Sequence, residues 1–316
     1  ASFPPSGPRR LPLRRQTMRT KWWVFPILAL ALSVYAQEPS FSGTIGMDFL
    51  FAPAGPLSMR AGLTLTMDMG KGGVKSQTIL SLTGLEAEHL WFWLNFQGVN
   101  LRSSLVFDPC FSRWSLSVSG GCCPFFLGGW FFLGNLALAC QTPNYTIGFI
   151  VEFGAGGEPG FLAQSLTGFG IQGLEYLIDD DPWTDVVLVP GWYFEEELLR
   201  FVWSAECWRL YTTWMFTYAG LGFGELGVSY RFSPPTVDLG ASLRLNSAFS
   251  LDWAKLQLGV TVDPVSVYSA TAFDFFGLKW EEIGLKIQFS QVLIYSSTRF
   301  DLSGLVWIKV GFELKF

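Results

Sequence analysis

The stretch LVWIKVGFELKF, residues 305–316, decides how the rest of the chain is read. Val306, Ile308, Val310, Phe312, Leu314 and Phe316 fall on one side of an extended chain. Trp307, Lys309, Gly311, Glu313 and Lys315 fall on the other. Successive side chains of a strand point to opposite faces, so this alternation predicts a β-strand with one apolar face and one wet face. An apolar face of this length on a terminal strand has to be covered by something, either a second sheet or lipid.

The order of residues within that strand narrows the choice. Lys309, Gly311, Leu314 and Phe316 give polar–x–Gly–x–x–apolar–x–aromatic, ending on the last residue of the sequence. This pattern resembles the closing-strand signal of bacterial outer-membrane β-barrels, which the barrel assembly machinery of that membrane reads. The resemblance is to a class and is tight over the last strand. It implies a location in the bacterial outer membrane, with the lipid bilayer and the assembly machinery as partners. It also implies that Lys309, Gly311, Leu314 and Phe316 are the membrane-assembly signal.

Composition points the same way. Half of the 316 residues are hydrophobic, with Phe 30, Trp 14 and Tyr 9 and only 15% charged. A helical membrane protein needs spans of about 20 apolar residues, and none occurs after residue 36. High hydrophobicity without such spans is what a transmembrane barrel shows, because every second strand residue faces lipid.

Residues 18–36 read as a cleavable signal peptide. Arg19 and Lys21 form the basic start, residues 22–32 the apolar middle, and Val34-Tyr35-Ala36 a small-residue cleavage site. Residues 1–17, rich in Pro and Arg, read as a disordered upstream extension. Arg14-Arg15 is followed by residues that suit a twin-arginine leader poorly. Residues 37–316 form the single barrel domain. Residues 1–36 hold six basic residues and no acidic one, which leaves 15 basic against 26 acidic residues, a formal charge of −11. Such a surface is a poor match for nucleic acid.

Alternation recurs along the domain. In LSMRAGLTLTMDM, residues 57–69, Leu63, Leu65 and Met67 face one way, and Arg60, Thr64, Thr66 and Asp68 the other. The aromatic block LWFWLNF, residues 90–96, suits a membrane–water interface. Residues 154–208 lose the period; a strand–loop–strand reading is preferred there to a short helix or a plug-like insertion. With strands of about 9–11 residues and short turns, residues 37–316 accommodate about 14 strands, within a range of 12–16. The fold expected is all-β: one antiparallel up-and-down transmembrane β-barrel. A soluble β-sandwich is the alternative, since it alternates too.

Candidate chemistry is sparse. His89, the single histidine, has Glu86 and Glu88 near it in sequence, but no serine can be placed beside it. Asp179-Asp180-Asp181 has clustered carboxylates without the spacing of a calcium loop, and reads as a solvated loop. Asn144-Tyr145-Thr146 matches the glycosylation acceptor pattern, which also arises by chance. Cys110, Cys122, Cys123, Cys140 and Cys207 form an odd set without the paired spacing of a zinc site, and read as inert or locally bridged thiols.

No catalytic, cofactor or metal residue is assigned. The residues expected to face the lumen are Arg60, Asp68, Asp238, Arg244, Lys309, Glu313 and Lys315, with Asp48 beside them. Their signs nearly balance, so acidic loops are expected to give an open pore a weak cation preference at low salt. The function expected is a porin-like passive channel for small solutes. The alternatives are an occluded structural or surface-binding barrel, with Trp307, Arg244 and Trp253 as plugs, and a barrel enzyme acting on lipid or peptide.

Overall fold

The computed structural model describes residues 39–316 except 54, 109, 136–143 and 176–185. The signal peptide and upstream extension lie outside the described residues, as do Cys140 and Asp179–Asp181. Alternating segments become strands, and in most cases a turn of two or three residues folds each back on the last. The first half holds β1 (Ser40–Phe51), β2 (Ser58–Asp68), β3 (Gly72–Ser81), β4 (Gly84–Phe96), β5 (Val99–Phe107) and β6 (Phe111–Cys122). It continues with β7 (Phe125–Asn135), β8 (Tyr145–Gly156) and β9 (Gly160–Phe169). A short ribbon follows, β10 (Ile171–Gln172) with β11 (Val187–Leu188). The second half holds β12 (Phe194–Ser204), β13 (Trp208–Thr217), β14 (Gly220–Phe232), β15 (Thr236–Asn246) and β16 (Leu251–Val262). Then come β17 (Val265–Asp274), β18 (Gly277–Phe289), β19 (Val292–Asp301) and β20 (Gly304–Lys315).

All strands but the ribbon join one 18-stranded antiparallel sheet, in which each pairs with its neighbour in the chain and β9 pairs with β12. Pairing of β1 with β20, with Asp48 opposite Gly311 and Thr44 opposite Lys315, closes the sheet on itself. Closure leaves no edge. In hydrocarbon that matters, because each orphan backbone group there costs several kcal/mol. A closed sheet is not a sandwich, and the alternative fold is discarded.

The strand count of about 14 is corrected to 18. Turns such as Leu82-Thr83 and Ser290-Gln291 are two residues long and carry neither Gly nor Pro, so IGLKIQFSQVLIY, residues 283–295, reads as one run although it spans the β18–β19 hairpin. The side chain closing a strand often makes the turn. Asp274 Oδ1 accepts the Phe276 N–H at 2.8 Å and Asp301 Oδ1 that of Ser303 at 2.7 Å. Gly277 and Gly304 follow at φ 125° and 116°, a region that side chains disfavour.

The two faces differ sharply. The outer one exposes large apolar residues in a continuous belt, among them Leu65 at 47%, Leu256 at 55% and Phe312 at 40%. The inner one carries the basic residues and most of the ion pairs. Both ends of the sheet segment, Ser40 and Lys315, lie at the same rim. The opposite rim carries the longest connections, 136–144 and 170–193.

Candidate functional site

Residues 170–175 and 186–188 of the connection between β9 and β12 fold inward against the wall formed by β7, β8, β9, β12 and β13. Ile171 and Leu174 are fully buried and pack with Phe132, Ile150, Leu166, Leu198 and Met215 from those strands. The contact is prepared in the wall by glycines. A Cβ at Gly148 would meet the Ile171 side chain and come within 2.9 Å of the Gly170 carbonyl oxygen; one at Gly168 would lie 3.2 Å from that of Ile171. Polar bonds complete the anchor. Glu196 Oε2 accepts the backbone N–H groups of Gly173 (2.7 Å) and Leu174 (3.1 Å), and Arg113 donates to the Val186 carbonyl at 2.7 Å. These inner positions are apolar because protein, and not water, covers them. The charged residues line the other side of the barrel.

That other side is open and charged. A cavity of about 1090 Å³ runs along the inner wall of β13–β19, past Arg209, Asp238, Lys255, Tyr268, Glu282 and Arg299. A second, of about 650 Å³, lies between the in-folded connection at Glu175 and the wall at Tyr211, Glu225, Arg244, Trp253 and Lys255. Both are bordered by Arg209, Lys255 and Gln257, so they adjoin along the same wall.

Two arginines stand among aromatics on this wall. Arg299 lies over the Trp280 and Trp307 rings at 4.5 and 5.3 Å, and both Nε and Nη2 donate to Glu282 Oε2, at 3.2 and 2.7 Å. Arg244 lies over Phe223 and Trp253 at 3.5 and 5.9 Å, but its nearest carboxylate oxygens, on Glu225 and Glu175, are 3.9 and 4.0 Å away. Stacking of a guanidinium on an aromatic face is worth about 0.5–2 kcal/mol and helps fix the position of the planar group.

The sequence-assigned residues fall as follows. Arg60 stands opposite Asp48 across β1–β2 and pairs with Glu86 at 2.5 Å. Asp68 accepts the Gly70 N–H at the rim, 2.7 Å, and Asp238 is bonded to Arg231. Lys309 pairs with Asp48 at 3.3 Å across the closure. Glu313 stands opposite Gly46, and Lys315 opposite Thr44. Gly311 lies where the Tyr295 ring and Asp48 carboxylate meet, Leu314 stands opposite Ile45, and Phe316 exchanges two backbone bonds with Gly43, 2.9 and 3.0 Å. Trp307 and Trp253 stand beside their arginines on the wall, Trp253 bordering the 650 Å³ cavity.

His89 is buried, edge-on to Trp91 at 5.3 Å, while Glu88 points to the outer face, bonded by Ser76 and Thr78 at 2.8 and 2.5 Å. Cys110 is disulfide-bonded, whereas Cys122, Cys123 and Cys207 carry free thiols, so no bridge joins Cys110 to the vicinal pair. Sequence reasoning missed Lys75, Tyr211, Glu225, Lys255, Tyr268, Glu282 and Arg299. Their signal was a repeated aromatic-x-Glu-x-Gly, at Phe223–Gly227 and again at Trp280–Gly284.

No protein-family model and no curated protein matches the chain. Solved structures do. One, described as asymmetric conductivity of engineered proteins, has a TM-score of 0.50 and 12% identity, over 88% of this chain and 100% of its own. A variant of the porin of Rhodopseudomonas blastica covers the same shares at 12% identity and a TM-score of 0.49. The likeness is one of fold: this chain is a closed, porin-like antiparallel β-barrel, the architecture that its terminal strand resembles.

Proposed function

We propose that residues 37–316, freed of a leader, form a passive outer-membrane channel for small polar solutes, inserted by the barrel assembly machinery. One observation carries the reading: a closed sheet with an apolar outside and a charged inner wall bordering adjoining cavities of about 1090 and 650 Å³. Apolar surface outside suits lipid, and a polar lumen suits water. The wall offers positioned charges and aromatic faces that suit the passage of polar solutes. Lys75, Lys255, Lys286 and Arg299 on the inner wall oppose the weak cation preference that acidic loops at the mouth would give at low salt, and reversal potentials across a salt gradient read the balance.

The test is conductance of the purified, refolded protein in planar lipid bilayers. Stepwise current increments with a linear current–voltage relation are expected. Insertion without any current steps would shift the reading to an occluded, structural barrel.

A further inference from the structure

Strands β13–β16 and β17–β20 are two copies of one four-strand unit. Tyr211 on β13 stands opposite Gly227 and donates to Glu225 at 2.9 Å; Tyr268 on β17 stands opposite Gly284 and donates to Glu282 at 3.1 Å. The next strand supplies Ser242-Leu243-Arg244 in one copy and Ser297-Thr298-Arg299 in the other, each arginine opposite its glutamate. The last strand supplies Trp253-Ala254-Lys255 and Trp307-Ile308-Lys309, each tryptophan opposite its arginine. Each copy serves as the reference for the other.

They differ in what their cations bind. In the second copy Arg299 is hydrogen-bonded twice to Glu282, and Lys309 is paired with Asp48 of the adjoining strand. In the first copy neither bond exists among the described residues. Arg244 is at 3.9 Å from Glu225 and its buried Nε has no hydrogen-bond partner. Lys255 is half-buried and unpaired, because the place taken by Asp48 beside Lys309 is taken beside Lys255 by Ala270. Both cations border the 650 Å³ cavity. Lys255 has no carboxylate partner among the described residues, and Arg244 has only long ion pairs to Glu225 and Glu175 with its Nε unbonded; partly desolvated donors left unsatisfied in this way favour an anion that can hydrogen-bond to them.

We propose that the first copy is an anion station, in which Arg244 and Lys255 hold the carboxylate or phosphate group of a small solute. The solute fills the position that a protein carboxylate fills in the second copy. Trp253 and Phe223 flank it and hold the guanidinium in place. The station deepens the channel reading, which it needs only for the route by which the solute arrives.

Binding is measured on the full barrel folded in detergent micelles at low salt, by isothermal titration with inorganic phosphate and with acetate. Saturable binding is expected, and the tighter of the two names the group preferred. Lys255→Gln, and Ala270→Asp, which rebuilds the carboxylate of the second copy, should each weaken it at least about tenfold. Lys286→Gln, a lumen lysine outside the station, should leave it unchanged, and heat-dependent mobility confirms that each variant is folded. Equal binding by wild type and Lys255→Gln, or an equal loss in Lys286→Gln, overturns the proposal. Binding without bilayer conductance upholds the station and defeats the channel; conductance without binding does the reverse.

Discussion

The closing strand gains its physical reason from single residues. Lys309 reaches across the seam to Asp48, which also accepts a hydrogen bond from the Tyr295 hydroxyl. Gly311 leaves room for both: a Cβ there would collide with the Tyr295 ring and the Asp48 carboxylate. At the rim the Phe316 ring lies on Gly43, whose missing Cβ would otherwise stand within 2.9 Å of the Thr64 carbonyl oxygen as well. An aromatic ring covering a strand glycine compensates for the side chain the glycine lacks. Phe316→Ser should therefore lower the yield of folded, heat-modifiable barrel while leader cleavage proceeds, and Gly43→Val, which crowds the same ring from β1, should lower it in the same way. Mobility in SDS gels with and without heating reads both. Normal assembly of the two variants would deny the assembly role proposed for the terminal pattern.

Alternation is legible where a strand has an exposed apolar outer face and a polar inner one, as β2 does. Leu63 and Leu65 are exposed on the outer face, with Thr64 and Thr66 on the inner. A lysine at Leu63 should cost about 2–4 kcal/mol if it lies near the bilayer midplane, while one at Thr64 should cost close to nothing. Equilibrium urea unfolding in lipid vesicles measures the difference, and equal losses would contradict the assignment of faces. Alternation fails in FFLGGWFFLG, residues 125–134, for a plain reason. Phe131 faces outward and Phe132 is fully buried beneath the in-folded connection, so both faces of β7 are apolar. The four-strand duplication stayed hidden for another reason. Its equivalents, such as Glu225 and Glu282 or Arg244 and Arg299, are single residues on separate strands, and only cross-strand register brings them together.

The whole molecule divides its labour between a barrel that closes without help and a segment that narrows it. The 18-strand ladder contains every pairing needed for closure, and the described residues of the connection between β9 and β12 add the β10–β11 ribbon and its contacts with the wall. Its hold rests on Ile171 and Leu174, both with no exposed surface, together with the two N–H bonds to Glu196. Burying side chains of this size is worth about 1.5–3 kcal/mol each, and placing carboxylates there reverses that gain, because an unpaired charge against apolar neighbours is strongly disfavoured. The double change Ile171→Asp with Leu174→Asp should then release the segment from the wall and leave the barrel intact. Single-channel conductance should rise and its noise increase, whereas the heat-modifiable mobility of the folded barrel should be unchanged. If conductance stays at the wild-type level while the barrel is folded, the narrowing lies elsewhere on the inner wall, and the aromatic-flanked Arg244 and Arg299 become the residues that set the width of the path.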